Sequence, residues 1–370
     1  MRKHWIDNLR WATVLLVLLY HVVYFYNNKG VFGGIGGFGD FPETKQYQDI
    51  LMYILYPWFM PLLFLLAGIS SRYSLEKVSA GQWFKSRTRK LLVPGTIGLF
   101  VFQWMTGYFN TLVAGRGEVL ANVPGPAKYF MCALSGIGPL WFIQLLWALS
   151  LILLVLRSVD SKDKFYNLCG KTNMVIIILL GLLFWLGEHT LIMKPRPDSA
   201  DGLYNLYKPF FYLITFLMGY FVFSHDKVQE ILEKFWIPMM VFAVIAGSVL
   251  IVTTFGQDNT APRYLSSPLN NLYGWLMCLA MMGWFKAKFD RTGKFAGYMT
   301  KLSFGLYIVH YLVIAGVGSY MYFNMREQIP PFAMYLILTV AVFTVSPLLY
   351  EGLHRIPFLR WCIFGEKKNK

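Results

Sequence analysis

Across 370 residues, hydrophobic side chains make up 56% and charged ones only 14%. A soluble chain normally carries about a quarter charged residues, so these proportions exclude a water-soluble globule and leave an integral membrane protein. The net charge of +15 does not indicate nucleic acid, because the cations are spread through short segments between apolar blocks and form no single patch.

The apolar blocks run about 17–22 residues, the length that carries a helix across about 30 Å of hydrocarbon. In chain order they predict ten spans, over residues 9–27, 49–70, 91–114, 138–157, 173–188, 207–224, 236–255, 267–285, 301–320 and 332–351. The expected fold is all-α: a polytopic integral membrane protein of about ten transmembrane helices around a central cavity. A single transmembrane domain fills 1–370, with no appended soluble domain. Met1–Arg10 is basic and precedes an apolar run, as a signal peptide does. No A-x-A-like cleavage site follows, and the run continues through Tyr24, Phe25 and Tyr26, so it reads as an uncleaved first span.

Most Lys and Arg fall in alternate connecting segments, among them Lys85–Lys90, Arg157–Lys171, Lys286–Lys301 and Arg355–Lys370. By the positive-inside rule this places both termini on the cytoplasmic side of a cell (inner or plasma) membrane. The connectors 28–48, 115–137 and 188–206 are the longest on the outer side. They serve either as flexible links or as places that receive an external substrate. Cys132, Cys169, Cys278 and Cys362 show no CxxC or Cys/His spacing, so free thiols and no metal site are expected.

Ionisable groups within hydrocarbon are costly and usually functional. His21 lies in the first predicted span and His310 in the ninth. Arg10 and His21 are eleven residues apart, three helical turns plus about 20°, so they share a face and differ in depth by about 16 Å. With Arg10 at the inner boundary, His21 comes near the midplane. A neutral imidazole there can act as general base on a hydroxyl or accept an acyl group itself; the structural alternative is a hydrogen bond between helices. Arg10 is either a site cation or a topology-setting one.

Before the third span, Lys85, Arg87, Arg89 and Lys90 are dense enough to hold a phosphate, and equally fit a positive-inside flank that meets anionic lipid. Ser303, Tyr307 and His310 fall at i, i+4 and i+7, on one helix face that lines a cavity or pairs with another helix. Trp141 and Phe142 open the fourth span as either a wall or an interfacial anchor. Glu351, at the inner end of the last span, is placed for a salt bridge with Arg10 or a loop cation, and Asp7 for capping or pairing with Arg10.

Taken in order, these pieces resemble one family. Ile6-Asp7-Asn8-Leu9-Arg10, followed by ten residues and His21, resembles the Arg-x10-His opening of the acyltransferase 3 family of membrane acyltransferases. Pro57–Ser70 with Ala67-Gly68 resembles its second span, and Pro139-Leu140-Trp141-Phe142 its Leu-Trp-Phe element. Ser303 through His310 resembles its late Ser-x-x-x-Tyr-x-x-His span, and Glu351 through Arg360 its closing segment. The family's Arg-x-x-Arg before the third span maps onto Arg87 and Lys90, with Arg89 beside them. A point-charge contact survives that change, whereas a bidentate one does not.

The resemblance implies an O-acyltransferase that moves an acetyl or succinyl group from cytoplasmic acyl-CoA to a hydroxyl of an envelope saccharide or glycolipid. His21 would be catalytic, and Arg10, Arg87, Arg89 and Lys90 would hold the donor. Trp141, Ser303, Tyr307, His310 and Glu351 would support the cavity. No permanent cofactor and no nucleic acid are expected; acyl-CoA (acetyl-CoA or succinyl-CoA) is a co-substrate, and membrane lipids surround the protein. The competing expectation is a secondary transporter or flippase for a lipid-linked or small anionic substrate. Broken helices at matching places in two halves and paired intramembrane carboxylates, its usual marks, are not found in the sequence.

Overall fold

The computed structural model describes residues 3–27, 35, 46–115, 117–191 and 208–367. The glycine-rich part of the 28–48 connector (Gly30, Gly33, Gly34, Gly36, Gly37 and Gly39) and most of the 188–206 connector lie outside the described residues. Among the described residues every regular element is helical. The α-helices are α1 His4–Phe25, α2 Ile50–Leu55, α3 Phe59–Leu75, α4 Ala80–Arg87, α5 Val93–Gly98, α6 Trp104–Val113, α7 Gly117–Asn122, α8 Gly125–Ser135 and α9 Trp141–Val159. There follow α10 Lys164–Cys169, α11 Met174–Leu191, α12 Pro209–Phe221, α13 Asp226–Thr254, α14 Pro262–Leu265, α15 Pro268–Phe289, α16 Lys294–Met325, α17 Pro331–Arg355 and α18 Pro357–Phe364.

A helix overlies each of the ten predicted spans. Seven helical stretches, His4–Phe25, Tyr47–Leu75, Ala80–Val113, Gly138–Val159, Asp226–Thr254, Lys294–Met325 and Pro331–Arg355, are long and apolar enough to cross a membrane. The apolar helices α11 and α12 are shorter. Helix α15 has the length, 22 residues, but Asn270, Asn271, Lys286 and Lys288 dilute it. Length and composition therefore support a multi-pass membrane protein with seven crossings of this kind. The outward faces of α11, α13 and α17 agree: Leu179, Leu182, Ile237, Phe242, Val252, Val340 and Leu348 are all exposed, which suits lipid and not water.

Proline shapes two of these stretches. Pro94 has no N–H, so the carbonyl four residues earlier, at Lys90, loses its helical donor. The preceding turn, Thr88–Leu92, is wound as π-helix with the Val93 N–H bonded to the Thr88 carbonyl, and a second π turn covers Leu99–Gln103. Pro238 acts the same way in α13, where Phe235 leaves helical geometry (φ −111°, ψ 15°) and kinks the helix.

The 115–137 connector, expected as a loop, instead contains α7 and α8. Its apolar run Tyr129–Leu134 is too short to span hydrocarbon but long enough to pack. Glycine makes the packing possible. A methyl group at Gly107 of α6 would lie 1.7 Å from the Cys132 carbonyl oxygen, and one at Gly136 would lie 2.0 Å from the Gln103 carbonyl oxygen.

The chain forms two compact units. The first takes residues 1–13, 53–84 and 148–300, and the second 14–52, 85–147 and 301–370. In the first, α3 and α12 meet backbone to backbone: a methyl at Gly68 would lie 2.1 Å from the Phe216 carbonyl oxygen, and one at Gly219 2.2 Å from that of Leu65. Lipid supplies no hydrophobic drive between helices, so close approach of small residues is what holds such pairs. The Phe64 and Tyr212 rings stack beside it at 4.4 Å. At one end of α3, buried Arg72 donates to both Asp163 oxygens (2.8 and 3.1 Å) and lies 3.6 Å over the Tyr166 ring. That guanidinium holds the Asp163 carboxyl below the usual range.

In the second unit α16 is the central helix. The Tyr26 hydroxyl donates to the Gly318 carbonyl at 3.0 Å, and the buried Gln103 amide donates to the Ile308 carbonyl at 2.8 Å. Helix α18 closes this unit against α5: a methyl at Gly98 would lie 2.9 Å from the Cys362 carbonyl oxygen.

Candidate active site

Unbroken helix α1 carries both residues of the Arg-x10-His spacing. Its C-terminal part belongs to the second unit, where His21 meets α16. His310, fully buried, places its Nε2 3.1 Å from His21 Nδ1 and its Nδ1 3.0 Å from the Leu306 carbonyl. The partners assign the tautomers. A carbonyl only accepts, so His310 Nδ1 carries a proton, and its Nε2, in the neutral ring, offers a lone pair. His21 Nδ1–H donates to that lone pair. That tautomer leaves the His21 Nε2 lone pair outside this contact, and the residue is not fully buried. This is the orientation a general base or nucleophile needs.

Aromatic edges fix the His21 ring. Tyr20, Tyr24 and Tyr311 pack nearly perpendicular to it, with centroids at 5.5, 6.1 and 5.3 Å. One helical turn before His310, the buried Tyr307 hydroxyl donates to the Pro139 carbonyl, and the Tyr307 ring meets Phe142 at 5.7 Å. Trp141 lies edge-on to Phe142 at 6.3 Å. Pro139–Phe142 and Ser303–His310, two motifs far apart in sequence, are thus brought together, and Ser303 is buried on the same helix.

Arg10 belongs to the first unit. It donates to Asp7 Oδ1 at 3.0 Å and to Ser70 Oγ at 2.6 Å, so the pairing expected of Asp7 forms. Ser70 in turn donates to the Leu66 carbonyl at 2.7 Å, which fixes its rotamer. Arg87 ends α4, and Arg89 and Lys90 lie on the π turn that follows. Arg89 Nε donates to the Gly365 carbonyl at 3.1 Å. Gly365 has φ 62°, and a methyl there would lie 2.1 Å from the Arg89 carbonyl oxygen, so this latch needs glycine. Lys90 is exposed. Glu351 is half-buried near the end of α17 and forms no ion pair among the described residues. At that end the His354 ring lies in hydrogen-bond contact with Glu366 at 2.7 Å.

Sequence reasoning missed Tyr311, Tyr20 and Tyr24 as ring contacts, and missed Gln103 and Gln144. Gln144 donates to the Gly95 carbonyl at 2.7 Å. A buried amide inside a predicted span is the one signal that singles out these glutamines beforehand. Among the described residues no three His, Cys, Asp or Glu side chains gather as a metal site.

The fold and this site define a class: a polytopic membrane protein with an oriented imidazole pair between its helices. Residues 3–351 match the acyltransferase 3 family model, described as an acyltransferase domain. The match covers nearly the whole chain, and the chain belongs to this family; it is a membrane acyltransferase. No curated protein and no solved structure matches it.

Proposed function

We propose that the protein transfers an acetyl or succinyl group from cytoplasmic acyl-CoA to a hydroxyl of an envelope saccharide or glycolipid, with both termini in the cytoplasm of a cell that carries it in its inner or plasma membrane. The observation that carries this reading is the His21–His310 contact of 3.1 Å, which orients the His21 ring with Nε2 on its other side. His21 removes the acceptor hydroxyl proton as that oxygen attacks the thioester carbonyl. The C–O ester bond forms, the C–S bond breaks, and the proton passes to the departing CoA thiolate. His310 acts through His21 as a positioning residue. Tyr307, Trp141, Phe142 and Ser303 wall the acyl group, and Arg87, Arg89 and Lys90 neutralise donor phosphates. The bias of Lys and Arg to alternate connectors supports the orientation.

The donor half is tested by kinetics with varied acyl-CoA. A charge-assisted contact is worth about 1.5–3 kcal/mol, so Arg87→Ala raises the donor KM about tenfold or more. Lys90→Ala raises it less, and the acceptor KM stays at the wild-type value in both. An unchanged donor KM in both variants removes the phosphate-site assignment.

A further inference from the structure

A second feature shares no residue with the imidazole site. In the first unit, α9, α10, α11 and α12 enclose a groove of about 650 Å³, within the range of about 300–1,000 Å³ typical of ligand sites. Its walls are almost wholly apolar, with Leu156, Leu180, Ile214, Leu217 and Phe221 among them. Leu183, which also lines it, is 45% exposed, and Leu168 is 60% exposed. The groove is therefore open along a flank of apolar helices, where the surrounding medium is lipid.

Its lining holds one acidic and one basic side chain. Asp160 and Lys171 both line it. Asp160 is already spent inside the fold: its two oxygens accept from the backbone N–H groups of Phe165 and Tyr166, each at 3.0 Å. Lys171 is exposed and has no acidic partner within 4 Å among the described residues. Lys162 and Lys164, also exposed, flank the same turn. An apolar groove with one exposed ammonium group that has no acidic partner is complementary to a hydrocarbon tail joined to an anionic headgroup.

We propose that this groove binds one acyl chain of an anionic phospholipid, with the headgroup phosphate on Lys171. A Lys near an anionic membrane surface is worth about 1 kcal/mol, which is a factor of about five in affinity. A zwitterionic phospholipid, whose choline cation offsets the phosphate beside Lys171, fills the groove with little of that gain.

The full chain, purified in detergent and exchanged against vesicles of phosphatidylglycerol or phosphatidylcholine, is examined by native mass spectrometry for retained lipid. Wild-type protein retains phosphatidylglycerol in preference to phosphatidylcholine. Lys171→Glu abolishes the preference, and Leu183→Trp, which fills the groove from its exposed edge, reduces retention of both lipids while the thermal unfolding temperature stays near wild type. Equal retention of the two lipids by the wild type overturns the headgroup contact. Wild-type retention in a folded Leu183→Trp protein overturns the groove as the site.

Discussion

His21→Ala inserts and folds like the wild type and transfers acyl groups about 10²–10⁴-fold more slowly, the range that loss of a positioned general base produces. The side chain is held by packing on three tyrosine edges and by one hydrogen bond, so its removal leaves a small cavity and not an unpaired charge. His310 separates chemistry from packing. In His310→Gln the amide oxygen still accepts from His21 Nδ1–H, so part of the rate is kept. In His310→Phe that acceptor is lost, the His21 tautomer is held less firmly, and the rate falls toward that of His21→Ala. The check is turnover of purified protein beside its thermal unfolding curve. Wild-type turnover in a folded His21→Ala protein contradicts the assignment.

A large effect on stability falls at Gly68. Valine there places its Cβ 2.1 Å from the Phe216 carbonyl oxygen, with the Tyr220 nitrogen at 2.8 Å. Both neighbours are backbone and cannot rotate away. Overpacking commonly costs about 1–3 kcal/mol where side chains yield, and here the α3 and α12 axes must separate. Gly68→Val therefore loses about 3 kcal/mol or more, and much of it fails to reach a folded state. Gly81, on α4, has nothing within 4 Å of an added methyl, so Gly81→Ala is neutral or gains up to about 1 kcal/mol. Unfolding temperatures in one detergent measure both. A Gly68→Val protein that melts with the wild type contradicts the backbone contact.

The two glycines show what the sequence discloses and what it withholds. Ala67-Gly68 is legible as a family feature, but nothing in the sequence says that Gly219 faces it, because that contact joins residues 151 positions apart. The spans were legible because each is written in its own composition. Placing a helix over each of the ten needed only apolar length, while short α11 and diluted α15 show where that signal thins. The π turn at Thr88–Leu92 is half legible: Pro94 announces a missing hydrogen bond, but not whether the helix bends, as at Phe235, or widens. At the site, His21 and His310 stood out because imidazole in hydrocarbon is rare. Their mutual hydrogen bond did not, since it depends on how two distant helices rotate. The contact of His354 with Glu366, twelve residues further along the closing turn, is equally silent in the sequence, because it depends on how the chain folds back after α17.

Chemistry at His21 that carries an acyl group from donor to acceptor is measured with purified protein in sealed vesicles, with acetyl-CoA or succinyl-CoA labelled in the acyl group outside and a saccharide acceptor enclosed within. Labelled ester on the enclosed acceptor with wild-type protein, and none above background with His21→Ala, is the result expected. Equal labelling by the two proteins, or none by either with both donors, would contradict it.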